Sequence, residues 1–163
     1  MAGSIGSDVI LLGLSAKDLL IAGGWFFTII GWIVSSSQAD NREKRKEVRS
    51  EVDACSKLAT ELLTKARRYF AIASSDLTSK GVAAEIRFEL QRLLTRVERL
   101  ESNYAAFEVV GACGELMDSI TGDPFESSSR QEVAADSDLL LKIESDILFL
   151  IDHMEAGFAK EFG

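Results

Sequence analysis

Leu19–Val34 reads LLIAGGWFFTIIGWIV, sixteen residues without a charge. A helix in a water-soluble core keeps one polar stripe toward solvent. Here Trp25, Phe26, Phe27, Ile29, Ile30, Trp32, Ile33 and Val34 would point in every direction around a helix axis, so the segment calls for an apolar solvent on all sides. A bilayer core of about 30 Å needs about 20 helical residues. Ser35–Ser37 extend the run toward that length, because serine hydroxyls can bond back to the preceding turn. Ser15-Ala16-Lys17-Asp18 fits a capping box at the start. The pattern predicts a transmembrane helix over residues 19–39.

Ser37-Gln38-Ala39 also resembles a small-x-small cleavage site, which would release an exported soluble domain beginning at Asp40. Two features oppose cleavage. Lys17 is the one basic residue before the run, and Asp18 offsets it. Arg42, Lys44, Arg45, Lys46 and Arg49 follow the run against Glu43 and Glu47, a local charge of +3. Basic flanks stay on the cytoplasmic side. The expected topology is single-pass, with a short extracytoplasmic N-terminus (1–18) and a cytoplasmic body (40–163), as in a bacterial inner membrane. The five basic residues form a collar at the membrane surface, where each can add about 1 kcal/mol of attraction to anionic lipid.

The net charge is −8, and residues 50–163 sum to −9. An acidic body excludes general nucleic-acid binding, which needs a basic surface. Within the span, Gly24, Thr28, Gly31 and Ser35 fall at spacings of four, three and four, one stripe of a helix. Small stripes let membrane helices approach closely, so this face is a candidate for homo-oligomer contact.

Beyond the collar the apolar positions become regular. Val48, Val52, Cys55, Ala59, Leu62, Ala66, Tyr69 and Ala73 alternate spacings of four and three, a heptad seam for helix-on-helix packing. SSDLTSKG (Ser74–Gly81) breaks it with turn residues. A second seam runs through Ile86, Leu90, Leu93, Val97, Leu100, Tyr104 and Phe107, slips phase near Gly111, and resumes through Val110, Cys113, Met117 and Ile120. A three-residue slip overwinds a coiled coil. A third seam, Leu140, Ile143, Ile147, Leu150, Met154 and Phe158, follows the turn-like stretch Thr121–Ser137. The expected fold is all-α: a transmembrane helix, then an antiparallel three-helix, coiled-coil-like bundle with helices over about 40–74, 82–120 and 132–161.

Antiparallel folding about a turn near residue 127 sets Phe107 opposite Ile147. Folding about the first turn, near residue 78, separates Cys55 from Cys113 by ~18 Å of helical rise, so a disulfide is not expected. The turn near residue 127 leaves a two-helix tip beyond the end of the third helix. There Leu63, Phe70, Ile72, Ile86 and Phe88 form a candidate partner-binding surface. The third helix carries extra apolar residues at Leu139, Leu141, Leu148, Phe149 and Ile151, which suggests a central position in the bundle or contact with another chain.

No catalytic constellation is present in the sequence. His153 is the single histidine, and a nucleophile needs a base and an orienting group. No G-x-x-x-x-G-K loop cradles phosphates, and no cysteine–histidine spacing suggests zinc. The chain is not expected to be an enzyme or to carry a cofactor or metal. The expected function is a membrane-anchored scaffold or adaptor whose partners are the lipid bilayer, other copies of the chain and an unidentified protein. The alternative is a membrane-acting effector of toxin or defence type whose spans assemble and permeabilise the bilayer.

Overall fold

The computed structural model describes the backbone of residues 16–163 and the side chains of Trp32 and residues 40–163. The side chains of the expected span other than Trp32, including the Gly24, Thr28, Gly31 and Ser35 stripe, lie outside the described residues, as do residues 1–15. Among the described residues, no helix is long and apolar enough to cross a membrane. These residues form four α-helices and no strand: α1 (Ala16–Phe70), α2 (Ser79–Asn103), α3 (Val110–Thr121) and α4 (Asp138–Phe162). The chain divides into two compact units, Met1–Lys44 and Arg45–Gly163. The second is an all-α bundle.

Cross-helix contacts fix the helix directions in the bundle. Glu51 and Lys65 of α1 pair with Arg96 and Glu89 of α2, so these helices are antiparallel. Arg49 and Arg67 of α1 pair with Glu155 and Glu144 of α4 at 2.6 and 2.7 Å, again antiparallel. Phe107, just before α3, lies against Gly157, and Ser119 near the end of α3 bonds Asp146. Hence α3 is antiparallel to α4 and parallel to the bundle part of α1. The chain runs up, down, up and down.

The seams read from the sequence become the core. Val48, Val52, Cys55, Ala59, Leu62, Ala66 and Tyr69 are buried on α1. Ile86, Leu90, Leu93, Val97 and Leu100 are buried on α2, and Leu140, Ile143, Ile147, Leu150 and Met154 on α4. Ala112, Cys113, Leu116 and Ile120 complete the set from α3.

The helix expected over 82–120 is two helices in the structure. α2 stops at Asn103, the chain turns over residues 104–109, and α3 starts at Val110. The phase slip marks this turn rather than an overwound helix. The Glu101 carboxylate accepts the N–H groups of Val109 and Val110 at 2.9 and 2.8 Å. Those donors have no partner within α3, and the helix dipole favours negative charge at that end. The Phe107 N–H donates to Tyr104 O at 3.0 Å and closes the turn.

This fold-back corrects two expectations. Phe107 packs against Gly157, ten positions beyond the expected Ile147, because the chain reverses near residue 106 as well as after α3. Cys113 comes close enough to Cys55 that its charge would act on the Cys55 thiolate, so the two are not set a long way apart along the bundle. Both thiols are free.

α4 has a conventional start. Ser137 is the N-cap, its side chain accepting the Leu140 N–H, and Asp138 lies in the first turn. One glycine of α4 is fixed by packing. A Cβ on Gly157 would lie 2.9 Å from a Phe107 ring carbon and 3.2 Å from its Cα. A Cβ on Gly111 or Gly114 would meet nothing within 4 Å. Gly111→Ala and Gly114→Ala should therefore each stabilise the bundle by about 0.5–1 kcal/mol through helix propensity and unfolded-chain entropy. Gly157→Ala should destabilise it, because an overlap costing about 1–3 kcal/mol outweighs the propensity gain. Urea denaturation midpoints check all three.

Burial pushes the Cys55 thiol up to about 12 and the Cys113 thiol up to about 11. The folded chain thus keeps protons that an unfolded chain releases near pH 8.5. The stability from these two thiols is whole at neutral pH and is lost as pH rises from about 9 toward 12. At pH 8 both cysteines should resist a thiol-specific disulfide reagent in the native protein and both should react in denaturant. Rapid native labelling of either would contradict the buried placement.

Candidate functional site

The α1–α2 turn lies at one end of the bundle, and residues 122–137, the connection between α3 and α4, cover it. Val133 N–H donates to Phe70 O at 2.8 Å, and Ser74 N–H donates to Arg130 O at 3.2 Å. Glu126 N–H donates to Tyr69 Oη at 2.9 Å. Phe125 sets its ring 4.9 Å from that of Tyr69.

Arg130 is the centre of this cap. It is buried, and its guanidinium carbon sits 3.7 Å from the Tyr69 ring centroid. Its Nη2 donates to Ile72 O at 3.0 Å and to Ser79 Oγ at 2.8 Å. One side chain thus ties the end of α1, the start of α2 and the α3–α4 connection together. A desolvated cation over an aromatic face contributes about 2 kcal/mol. Hydrogen bonds from a charged donor contribute about 1.5–3 kcal/mol each.

This cap determines the surroundings of the expected tip. Phe70 and Ile86 are fully buried, and Leu63 and Ile72 are half-buried. Phe88 alone of the five stands out in solvent, 69% exposed. The five therefore do not form one apolar surface. The connection supplies cover that a plain two-helix tip would lack.

The collar residues also separate. Arg49 is held at 3.0 Å by Asp53 and at 2.6 Å by Glu155. The Glu155 hydrogen bond, with the nearby carboxylate charges, raises its already high pKa. Its guanidinium lies 5.5 Å from the Phe158 ring centroid, and that of Arg45 lies 5.9 Å from the same ring. Arg42, Lys44, Arg45 and Lys46 are exposed.

A further apolar surface lies on α4. Leu141, Leu148 and Phe149 are exposed, although they share the helix with core residues. Their spacings of seven and one put them on one flank, whereas Leu139 and Ile151, the other two extra apolar positions, are half-buried against the core. His153 packs on Phe149, ring centroids 4.0 Å apart, and its Nδ1 lies 2.9 Å from Phe149 O. Nearby, Lys142 Nζ donates to Ser119 Oγ at 2.7 Å and to Asp146 at 2.8 Å. The ammonium is paired with a carboxylate, and the cluster links α3 to α4. Among the described residues, no group of three or more His, Cys, Asp or Glu side chains is placed to hold a metal ion.

No known protein family, no curated protein and no solved structure matches the chain.

Arg130 was not singled out in the sequence, where it stands in a serine-rich turn stretch. Its role leads to a direct expectation. Arg130→Ala should lower unfolding stability by about 2–3 kcal/mol, since two charge-assisted bonds and a stack are lost while burial of one charge is relieved. Limited proteolysis should then cut residues 122–137 first. An unchanged midpoint would mean that the backbone bonds alone hold the cap.

Proposed function

We propose that the chain is a single-pass membrane-anchored helical interaction module, a scaffold or adaptor presenting its bundle to partners. In this reading residues 19–39 cross the bilayer, residues 1–18 lie outside, and the bundle lies in the cytoplasm. The observation that carries the anchor is Trp32. It belongs to the apolar run, lies on a helix and is 72% exposed. A large exposed indole in a stretch with no polar face is suited to lipid rather than water. The exposed basic residues Arg42, Lys44, Arg45 and Lys46 support the orientation by the positive-inside rule.

The contact surface in this reading is the α4 flank of Leu141, Leu148 and Phe149, supported by its exposure on an otherwise well-packed bundle. Self-association in the bilayer would use the Gly24, Thr28, Gly31 and Ser35 stripe. The full-length chain should sediment with membranes, resist an alkaline wash and be released by detergent. Crosslinking in native membranes should trap defined species whose yield falls in Leu148→Asp/Phe149→Asp. Recovery of full-length protein in the supernatant without detergent would overturn the anchor. Growth arrest with loss of membrane potential on overexpression, relieved by Gly24→Leu/Gly31→Leu, would instead favour the permeabilising effector.

A further inference from the structure

The cap leaves a cleft of about 370 Å³ between the start of α2 and residues 126–130, within the size range of small-molecule sites. Three cations line it, Lys80, Arg87 and Arg130, against one carboxylate, Glu126. This excess stands on a body whose charge is strongly negative. We propose that the cleft binds a small phosphate-type oxyanion, free or as a phosphate monoester. The proposal is independent of membrane anchoring.

Arg130 carries the argument. It is 4% exposed, so its charge is almost wholly removed from water. Nη2 is used by Ile72 O and Ser79 Oγ, but Nε and Nη1 have no acceptor among the described residues. No carboxylate among those residues forms an ion pair with Arg130. Buried guanidinium groups are normally paired, because an unmatched buried charge costs several kcal/mol. The Tyr69 face offsets part of that cost. An oxyanion in the cleft would offset more, by placing negative charge beside the buried guanidinium.

The rest of the lining fits the same ligand. Ser75, Ser127 and Ser128 also line the cleft. The first N–H groups of α2 are not part of the site, because Asp76 accepts from Thr78 N–H at 2.7 Å and from Ser79 N–H at 3.1 Å. Glu126 is the counter-charge now present, 3.1 Å from Arg87, and it competes for the cation that a bound phosphate would use.

Titration calorimetry on the purified full-length protein tests this, with inorganic phosphate and glycerol 3-phosphate each measured against chloride at matched ionic strength. Saturable one-to-one binding of at least one is expected. Lys80→Gln/Arg87→Gln should weaken it about tenfold or more, by removing two charged donors. Both side chains are largely solvent-exposed, so the core is untouched. Lys80→Gln alone, which should weaken binding about threefold or more, carries the test should the double variant lose helicity. Glu126→Gln should tighten binding severalfold by releasing Arg87, a gain that a purely structural role would not produce. Similar affinities for the two probes would assign the free oxyanion, and tighter glycerol 3-phosphate binding would assign a monoester. Absence of saturable binding to both, or binding indifferent to the Lys80 and Arg87 substitutions, would overturn the proposal.

Discussion

α3 has 12 residues, whereas α2 and α4 have 25 each. At 1.5 Å per residue it is less than half their length, so a plain helix cannot cover the seams that the others present. The core closes only because irregular chain fills both ends of the α3 layer. At one end Phe107 and Val109, both fully buried, sit in the turn before α3, and Phe107 reaches close to the backbone of α4 at Gly157. At the other, Phe125, Val133 and Arg130 lie over the end of α1. Buried loop backbone is costly unless its polar groups are matched, and the matching is local at both ends. Glu101 answers the α3 N–H groups at one end. At the other, Tyr69 Oη, Phe70 O and Ser74 N–H bond the connection directly.

The two ends differ in how they are closed. The Phe107 end depends on shape, an aromatic ring against a position where only hydrogen fits. The Arg130 end depends on charge, a guanidinium stacked on Tyr69 and donating to two elements. Shape closure is tolerant of pH and salt. Charge closure leaves an unmatched cation beside a cleft, and it is there that a ligand could add stability to the fold.

The core was legible in the sequence because heptad spacing reports burial directly. Almost every seam residue from Val48 to Met154 lies inside, and Tyr104, Val110 and Met117 are half-buried. Chain reversal at residues 104–109 was not legible, since ESNYAAFEVV contains neither glycine nor proline. The phase slip was visible, but a slip is compatible with both a strained continuous helix and a tight turn. Glu101 settles the matter in space by accepting from residues eight and nine positions later. From that one difference follow the displaced register of Phe107 and the closeness of the two cysteines. Arg130 was invisible for another reason. Composition assigns an arginine among serines to solvent, and only the neighbouring Tyr69 face makes its burial possible.

The collar shows how charges with one sequence signature divide between two tasks. Arg49 follows the apolar run as the other four do, yet its position on α1 turns it toward Glu155 of α4, and its charge is matched within the bundle. Arg42, Lys44 and Lys46 have no such neighbour among the described residues, and Arg45 meets only an aromatic edge of the bundle at Phe158. A matched ion pair contributes little long-range field, whereas exposed unmatched cations retain theirs over about a Debye length, ~8 Å in physiological salt. The basic field is therefore concentrated in residues 42–46, next to the apolar run in sequence. Residues 50–163 of the bundle carry more carboxylates than cations, apart from the cleft at Arg130. An anionic surface would attract the first group and repel the remainder of the bundle.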